Sequence, residues 1–143
     1  MKAIILLLTL FSVTSFDTTS SADAIIGVWK NGSGKGHVQI YKNNGKYYGK
    51  IVWLRDALDA SGKPKTDHKN ADPDKRNKPL IGLVMLKDFE YDDGEWNGGH
   101  IYNPSDGKEY KAYMEMEDYK TLNVRGYVGI SLFGKTDVWT RVR

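Results

Sequence analysis

The sequence predicts an all-β domain, an eight-stranded up-and-down barrel, with a two-sheet β-sandwich as the alternative. Three observations carry this. Eight short segments, apolar or alternating apolar and polar, follow one another at about 12 residues apiece including their turns. Almost every junction is short enough for a hairpin and is marked by Gly, Asn, Asp or Pro. No amphipathic helix of three turns or more interrupts the series, and closure into a barrel removes the unpaired strand edges that an open sheet would expose. A barrel of eight strands is wide enough to be filled by its own side chains or to hold one small ligand.

The chain opens with Lys2, an apolar run over residues 3–13 and a small, polar stretch ending Ala22-Asp23-Ala24. This reads as a secretory signal peptide, residues 1–24, cleaved after Ala24. The apolar run is too short to span a bilayer, which takes roughly 20 residues. A single domain over residues 25–143 is then expected in the periplasm or outside the cell. Without Lys2, Asp17 and Asp23 the formal charge of +3 becomes +4. Basic and acidic residues are interspersed, which argues against a nucleic-acid patch. The absence of cysteine excludes a lipid-anchored lipoprotein, disulfides and thiolate-bound metal.

Residues 26–30, IGVWK, read as the first strand, with Trp29 as its heaviest side chain. Residues 36–42 place Val38 and Ile40 on one face and His37, Gln39 and Tyr41 on the other. Asn43-Asn44-Gly45 is a tight turn, because Asn and Gly accept positive φ. Residues 46–54, KYYGKIVWL, form a third strand whose Gly49 allows a bend or a close backbone approach. Residues 55–79 lack periodicity, and a loop of this length in a compact domain marks function or disorder. Its end, from Asn70 to Arg76, suits a short helical turn or an ordered clasp over a barrel mouth.

The fourth strand is read at residues 80–90 and turns at Asp92-Asp93-Gly94 into the clearest hairpin of the chain. In its second arm Tyr110, Ala112, Met114 and Met116 share one face, while Lys111, Tyr113, Glu115 and Glu117 share the other. Its turn, Asn103-Pro104-Ser105-Asp106-Gly107, combines a fixed proline φ with a glycine free to take positive φ. Residues 121–127 and 136–142 complete the count. Residues 128–134 between them are a Gly-bounded apolar connection, expected as a helical turn plugging one end.

Gly27-Val28-Trp29 and the terminal Trp139-Thr140-Arg141 resemble the lipocalin and calycin pattern, in which a G-x-W tryptophan packs under an arginine from the last strand. A guanidinium can stack on the indole face while bonding nearby carbonyls. Gly27, Trp29 and Arg141 are therefore the expected closure of the barrel. More of the chain resembles an exported bacterial family, domain of unknown function 2147. The resemblance rests on YYGKIVWLRD (residues 47–56), on Asn70, Asp72 and Pro73, and on RNKPLIGL (76–83). It continues with WNGGHIYNPSDGKEYKA (96–112) and LNVRGYVGISLFGKTDVWTRV (122–142). It implies a lipocalin-like barrel of the bacterial envelope and brings no catalytic residues with it.

Motifs for chemistry are sparse. His37, His68 and His100 show no metal-binding spacing, and the Asp67, His68, Asp72, Asp74 cluster lacks the glycine placement of an EF-hand, so no metal site is expected. Ser105 and Ser131 have no nucleophile elbow around them, and no phosphate-binding glycine loop is present, so no cofactor is expected. The interior remains. Tyr47, Trp53, Trp96, Tyr102, Tyr110 and Met114 are the candidate ligand-binding side chains, since Met and aromatic groups make an adaptable apolar lining. Arg125 is a candidate cation for an acidic amphiphile.

The sequence thus favours an exported, non-enzymatic barrel that binds or carries a small hydrophobic or amphiphilic molecule, without nucleic acid and without stable membrane insertion. A structural or protein-interaction module with a filled core and an envelope protein partner is the second reading. A hydrolase of unrecognised type is the third.

Overall fold

The computed structural model describes residues 21–143. The apolar run of the leader lies outside the described residues. Eight antiparallel strands follow in chain order: β1 (Gly27–Lys30), β2 (Gly36–Asn43), β3 (Lys46–Leu54), β4 (Val84–Asp92), β5 (Glu95–Asn103), β6 (Lys108–Asp118), β7 (Thr121–Tyr127) and β8 (Gly134–Arg141). Each pairs with its neighbours in sequence, and β8 returns to β1 through Trp29 opposite Arg141, closing the barrel. The fold is the eight-stranded up-and-down barrel that the alternation predicts, and the sandwich alternative is set aside.

Meander topology sorts the connections into two ends. The tight turns after β2, β4 and β6 lie at one end, together with residues 21–26 and the C-terminus. The loops after β1, β3, β5 and β7 lie at the other. The first end is closed by the expected pair. Arg141 Cζ lies 4.3 Å from the Trp29 ring centre and 4.1 Å from that of Tyr119, so the guanidinium is held between two aromatic rings. Its nitrogens donate to the carbonyls of Tyr119 (2.8 Å), Ile26 (3.0 Å) and Ala24 (2.5 Å). Trp29, fully buried, donates Nε1 to the Ile25 carbonyl at 2.9 Å.

The segment around the expected cleavage point packs into this end. A short 3₁₀ turn spans Asp23–Ile25. The Ala22 carbonyl accepts from Trp96 Nε1 (3.1 Å), and the Asp23 carboxylate accepts from the Tyr47 hydroxyl (2.6 Å) and pairs with Lys42. Burial pushes the Tyr47 hydroxyl far above its ordinary value, and the bond to Asp23 adds to this.

The closed half of the barrel is filled. Trp29, Ile40, Tyr47, Leu86, Phe89, Trp96, Met114, Leu122 and Trp139 form one core. Gly49 has the close neighbours that its sequence position suggests: a Cβ there would meet Leu86 Cδ1 at 2.8 Å and Val38 Cγ1 at 2.9 Å.

Three features differ from the sequence reading. β4 begins at Val84, because residues 80–83 turn at Gly82, which has positive φ. The alternation in β4 and β5 slips at Asp88 (φ 63°) and Gly98 (φ 71°), so Leu86 and Phe89 both face the core, as do Trp96 and Gly99. That slip leaves His100 between Lys87 and Lys111 on the neighbouring strands. Residues 128–133 are neither helical nor a plug: Val128, Ile130, Leu132 and Phe133 stand 66, 56, 79 and 73 % exposed.

Candidate functional site

Above the filled core, the barrel opens into a cavity of about 510 Å³. Val38, Ile51, Val124 and Trp139 line its depth, and Met85, Ile101, Tyr110 and Gly126 line its walls. Seven of these are inward positions of the period-two pattern that closes the barrel, while Met85, beside the core-facing Leu86, lies at the register shift between β3 and β4. The loop ends add polar groups at the rim, among them Asn31, Ser33, Lys35, Lys65, Asn103, Ser105 and Lys135.

The rim carboxylates are already engaged. Asp137 accepts from the Gly32 amide (3.2 Å) and from Trp139 Nε1 (2.8 Å), and Asp56 pairs with Arg55 at 3.3 Å. The rim lysines Lys35, Lys65 and Lys135 form no ion pair among the described residues. The mouth therefore combines an apolar interior with uncompensated positive charge. His37 adds little to that charge: burial first, then the nearby charges of Lys30 and Arg143, lower its pKa.

Part of the mouth is covered by the long connection after β3, which is built and anchored. Leu58 bridges to Pro64 and Thr66 to Pro79 in short β contacts, and a 3₁₀ turn at Pro73–Lys75 is capped by Asp72, which accepts from the Asp74 amide. Asp67 is its anchor. Its side chain, 1 % exposed, accepts from the Tyr102 hydroxyl at 2.6 Å and from Asn70 Nδ2 at 2.7 Å. Burial, followed by the bond to Asp67, pushes Tyr102 up to about 12. The connection also lies against the β5–β6 turn, where Lys69 Nζ donates to the Ser105 carbonyl at 2.8 Å. Any Cβ at Gly107 would collide with the Lys69 carbonyl.

The candidate side chains read from the sequence are distributed over the whole barrel. Tyr102 and Tyr110 line the cavity, although both hydroxyls are committed, Tyr110 to Asp106 at 2.5 Å. Met114, Tyr47 and Trp96 sit in the filled half, beneath the cavity. Trp53 lies at the end of β3, 40 % exposed and packed on His37 with ring centres 4.3 Å apart, outside the lining. Arg125 points outward and binds backbone: it donates to the Ser131 (2.8 Å) and Leu132 (3.5 Å) carbonyls and to Thr136 Oγ1 (2.9 Å).

Sequence reasoning did not single out Lys35, Lys65, Lys135, Met85 or Ile101. Only the strand stagger brings them to one mouth, and no local pattern encodes that. No group of three or more His, Asp or Glu side chains among the described residues is placed to hold a metal ion.

Known proteins share this architecture. The family model described as "Uncharacterized protein conserved in bacteria (DUF2147)" matches residues 27–141, from the start of β1 to the end of β8. The chain belongs to this family. In a solved structure, the Helicobacter pylori protein HP1028, described as belonging to the lipocalin family, is similar over 82 % of each chain with a TM-score of 0.71 and 25 % identity. No curated protein matches. The DUF2147 domain of this chain is thus a lipocalin-like barrel, closed at its base by Arg141 packed on Trp29. No helix among the described residues is long and apolar enough to cross a membrane.

Proposed function

We propose that this DUF2147 protein binds a small amphiphile in the barrel mouth, with an apolar tail in the cavity and an anionic head among Lys35, Lys65 and Lys135. The observation that carries the reading is the cavity itself, about 510 Å³ between a filled apolar floor and a lysine-bearing rim. That volume falls in the range of small-molecule sites, roughly 300–1,000 Å³, in which apolar walls supply affinity and a few polar groups fix orientation. An anion is favoured because the rim acids already have partners while the rim lysines have none within ion-pair distance. The leader-like residues 1–24 support a place in the bacterial envelope, in the periplasm or beyond it, where a soluble container is needed to move such molecules through water.

The test is a titration of the purified chain with a dansyl-labelled fatty acid and with its methyl ester. Saturable binding of the acid, weaker binding of the ester and displacement by unlabelled fatty acid are expected. Met85→Trp, which places a large ring in the cavity wall, should abolish binding while leaving the thermal transition in place. Absence of saturable binding by either probe would overturn the proposal.

A further inference from the structure

The most exposed apolar segment of the described barrel stands at its open end. Val128, Ile130, Leu132 and Phe133 project from the β7–β8 connection, and Trp53, Leu58 and Ile81 are exposed at the same end. Four large apolar side chains exposed on one short loop are unusual on a chain that meets only water. The backbone beneath it is ordered by hydrogen bonds. Phe133 N donates to the Ile130 carbonyl at 3.0 Å and Val128 N to the Phe133 carbonyl at 3.2 Å. The Arg125 guanidinium takes the carbonyls of Ser131 and Leu132. The carbonyls of Ile130, Ser131, Leu132 and Phe133 therefore already have donors, which lowers the cost of bringing the loop into an apolar medium.

Charge points to the same end. Lys135 follows the loop directly, and Lys35 and Lys65 stand on the same rim. At the opposite end acids outnumber bases on the hairpin tips: Asp92, Asp93 and Glu95 on one and Glu117 and Asp118 on the next stand against Lys120 and the ion-paired Lys42 and Lys46. An anionic surface would attract the mouth and repel the far end.

We infer that residues 128–133 dock the barrel, mouth first, on an anionic lipid bilayer, with Leu132 and Phe133 entering the acyl boundary and Lys135 meeting headgroup phosphates. Interfacial binding of this type sums buried apolar area and attraction to anionic lipid, and it is reversible. A protein partner would also cover an apolar loop. The bilayer is favoured because Lys135 adjoins the loop and Lys35 stands on the neighbouring connection, neither in an ion pair among the described residues, and because the exposed apolar side chains sit on one short loop. The proposal deepens the amphiphile reading, since a mouth seated on lipid would exchange cargo with the membrane without exposing it to water.

The test is flotation of the full chain with phosphatidylcholine vesicles containing or lacking phosphatidylglycerol. The chain should float with the anionic vesicles, less so at high salt. Leu132→Ser with Phe133→Ser should weaken this partition about tenfold or more, and Lys135→Glu should weaken it on anionic vesicles only. The Leu132→Ser, Phe133→Ser variant should still bind the dansyl fatty acid in vesicle-free buffer, which separates failure of docking from failure of the cavity reading. The inference is overturned if wild type stays with the soluble fraction, or if the double variant floats as well as wild type. It is also overturned if wild type forms a concentration-dependent oligomer that the double substitution dissolves while neither chain floats.

Discussion

The Tyr102 hydroxyl donates to the buried carboxylate of Asp67, 35 positions earlier, and this bond fastens the longest connection of the chain to the barrel rim. A buried acid on a loop would be costly alone. Here it has two donors, Tyr102 and Asn70, and becomes an attachment point.

The attachment is pH-dependent in a definite direction. Tyr102 has its folded pKa raised from 10.0 to about 12, by burial first and then by the bond to Asp67. The stabilisation is fully present below pH 10 and is lost as pH rises through about 12. The chain has no cysteine, so Ser61→Cys can carry a single fluorophore on the connection. Its anisotropy should fall across that window. In the Tyr102→Phe background it should be low already at neutral pH and flat with rising pH.

Closure of the barrel should depend on guanidinium geometry and not on charge alone. Arg141→Lys keeps the charge but cannot bond three carbonyls while lying between Trp29 and Tyr119. A loss of about 2–3 kcal/mol in urea unfolding is expected. Trp29→Ala should cost about 3–5 kcal/mol by the same measurement.

Glu95 and Glu115 face each other across β5 and β6. Burial first, and sharing a hydrogen bond with Glu115 second, raise the Glu95 pKa above its usual 4.5. A carboxyl with a raised folded-state value favours folding when protonated, and that contribution fades as pH rises through the folded value. Glu95→Gln should therefore raise stability at pH 7, by a few tenths to about 1 kcal/mol, and the gain should vanish in acid. Thermal melts at the two pH values check this.

Residues 22 and 23 contribute to the closed end. Chains beginning at Ala22 and at Ile25 should differ in stability by about 1–3 kcal/mol, the shorter being weaker. It lacks the acceptors for Tyr47 and Trp96 and the ion pair with Lys42. Denaturant titration of both forms, beside the mass of the chain recovered from its own cells, measures the effect and fixes the natural start.

The fold was legible because each strand carries its own evidence. Asn43-Asn44-Gly45 names its turn, and Tyr110, Ala112, Met114 and Met116 name their face. Alternation decides face but not depth. Tyr110 and Met114 point inward from one strand, yet Tyr110 lines the cavity and Met114 lies in the core beneath it. Which inward residue lies at which height depends on the stagger between strands distant in sequence. The slips at Asp88 and Gly98 shift that stagger further, and neither Asp-Phe nor Gly-Gly in sequence declares a bulge. Asp67 was visible only as one acid among several in its loop, since its partner Tyr102 lies on another element.

Arg141 binds the carbonyls of Ala24 and Ile26 from the last strand, so both ends of the barrel domain leave from the base, opposite the mouth. A fusion, tag or tether at either terminus would hold the molecule upright with its opening directed away from the attachment. A support coated through either terminus would therefore display the cavity and the Leu132–Phe133 tip to whatever flows past.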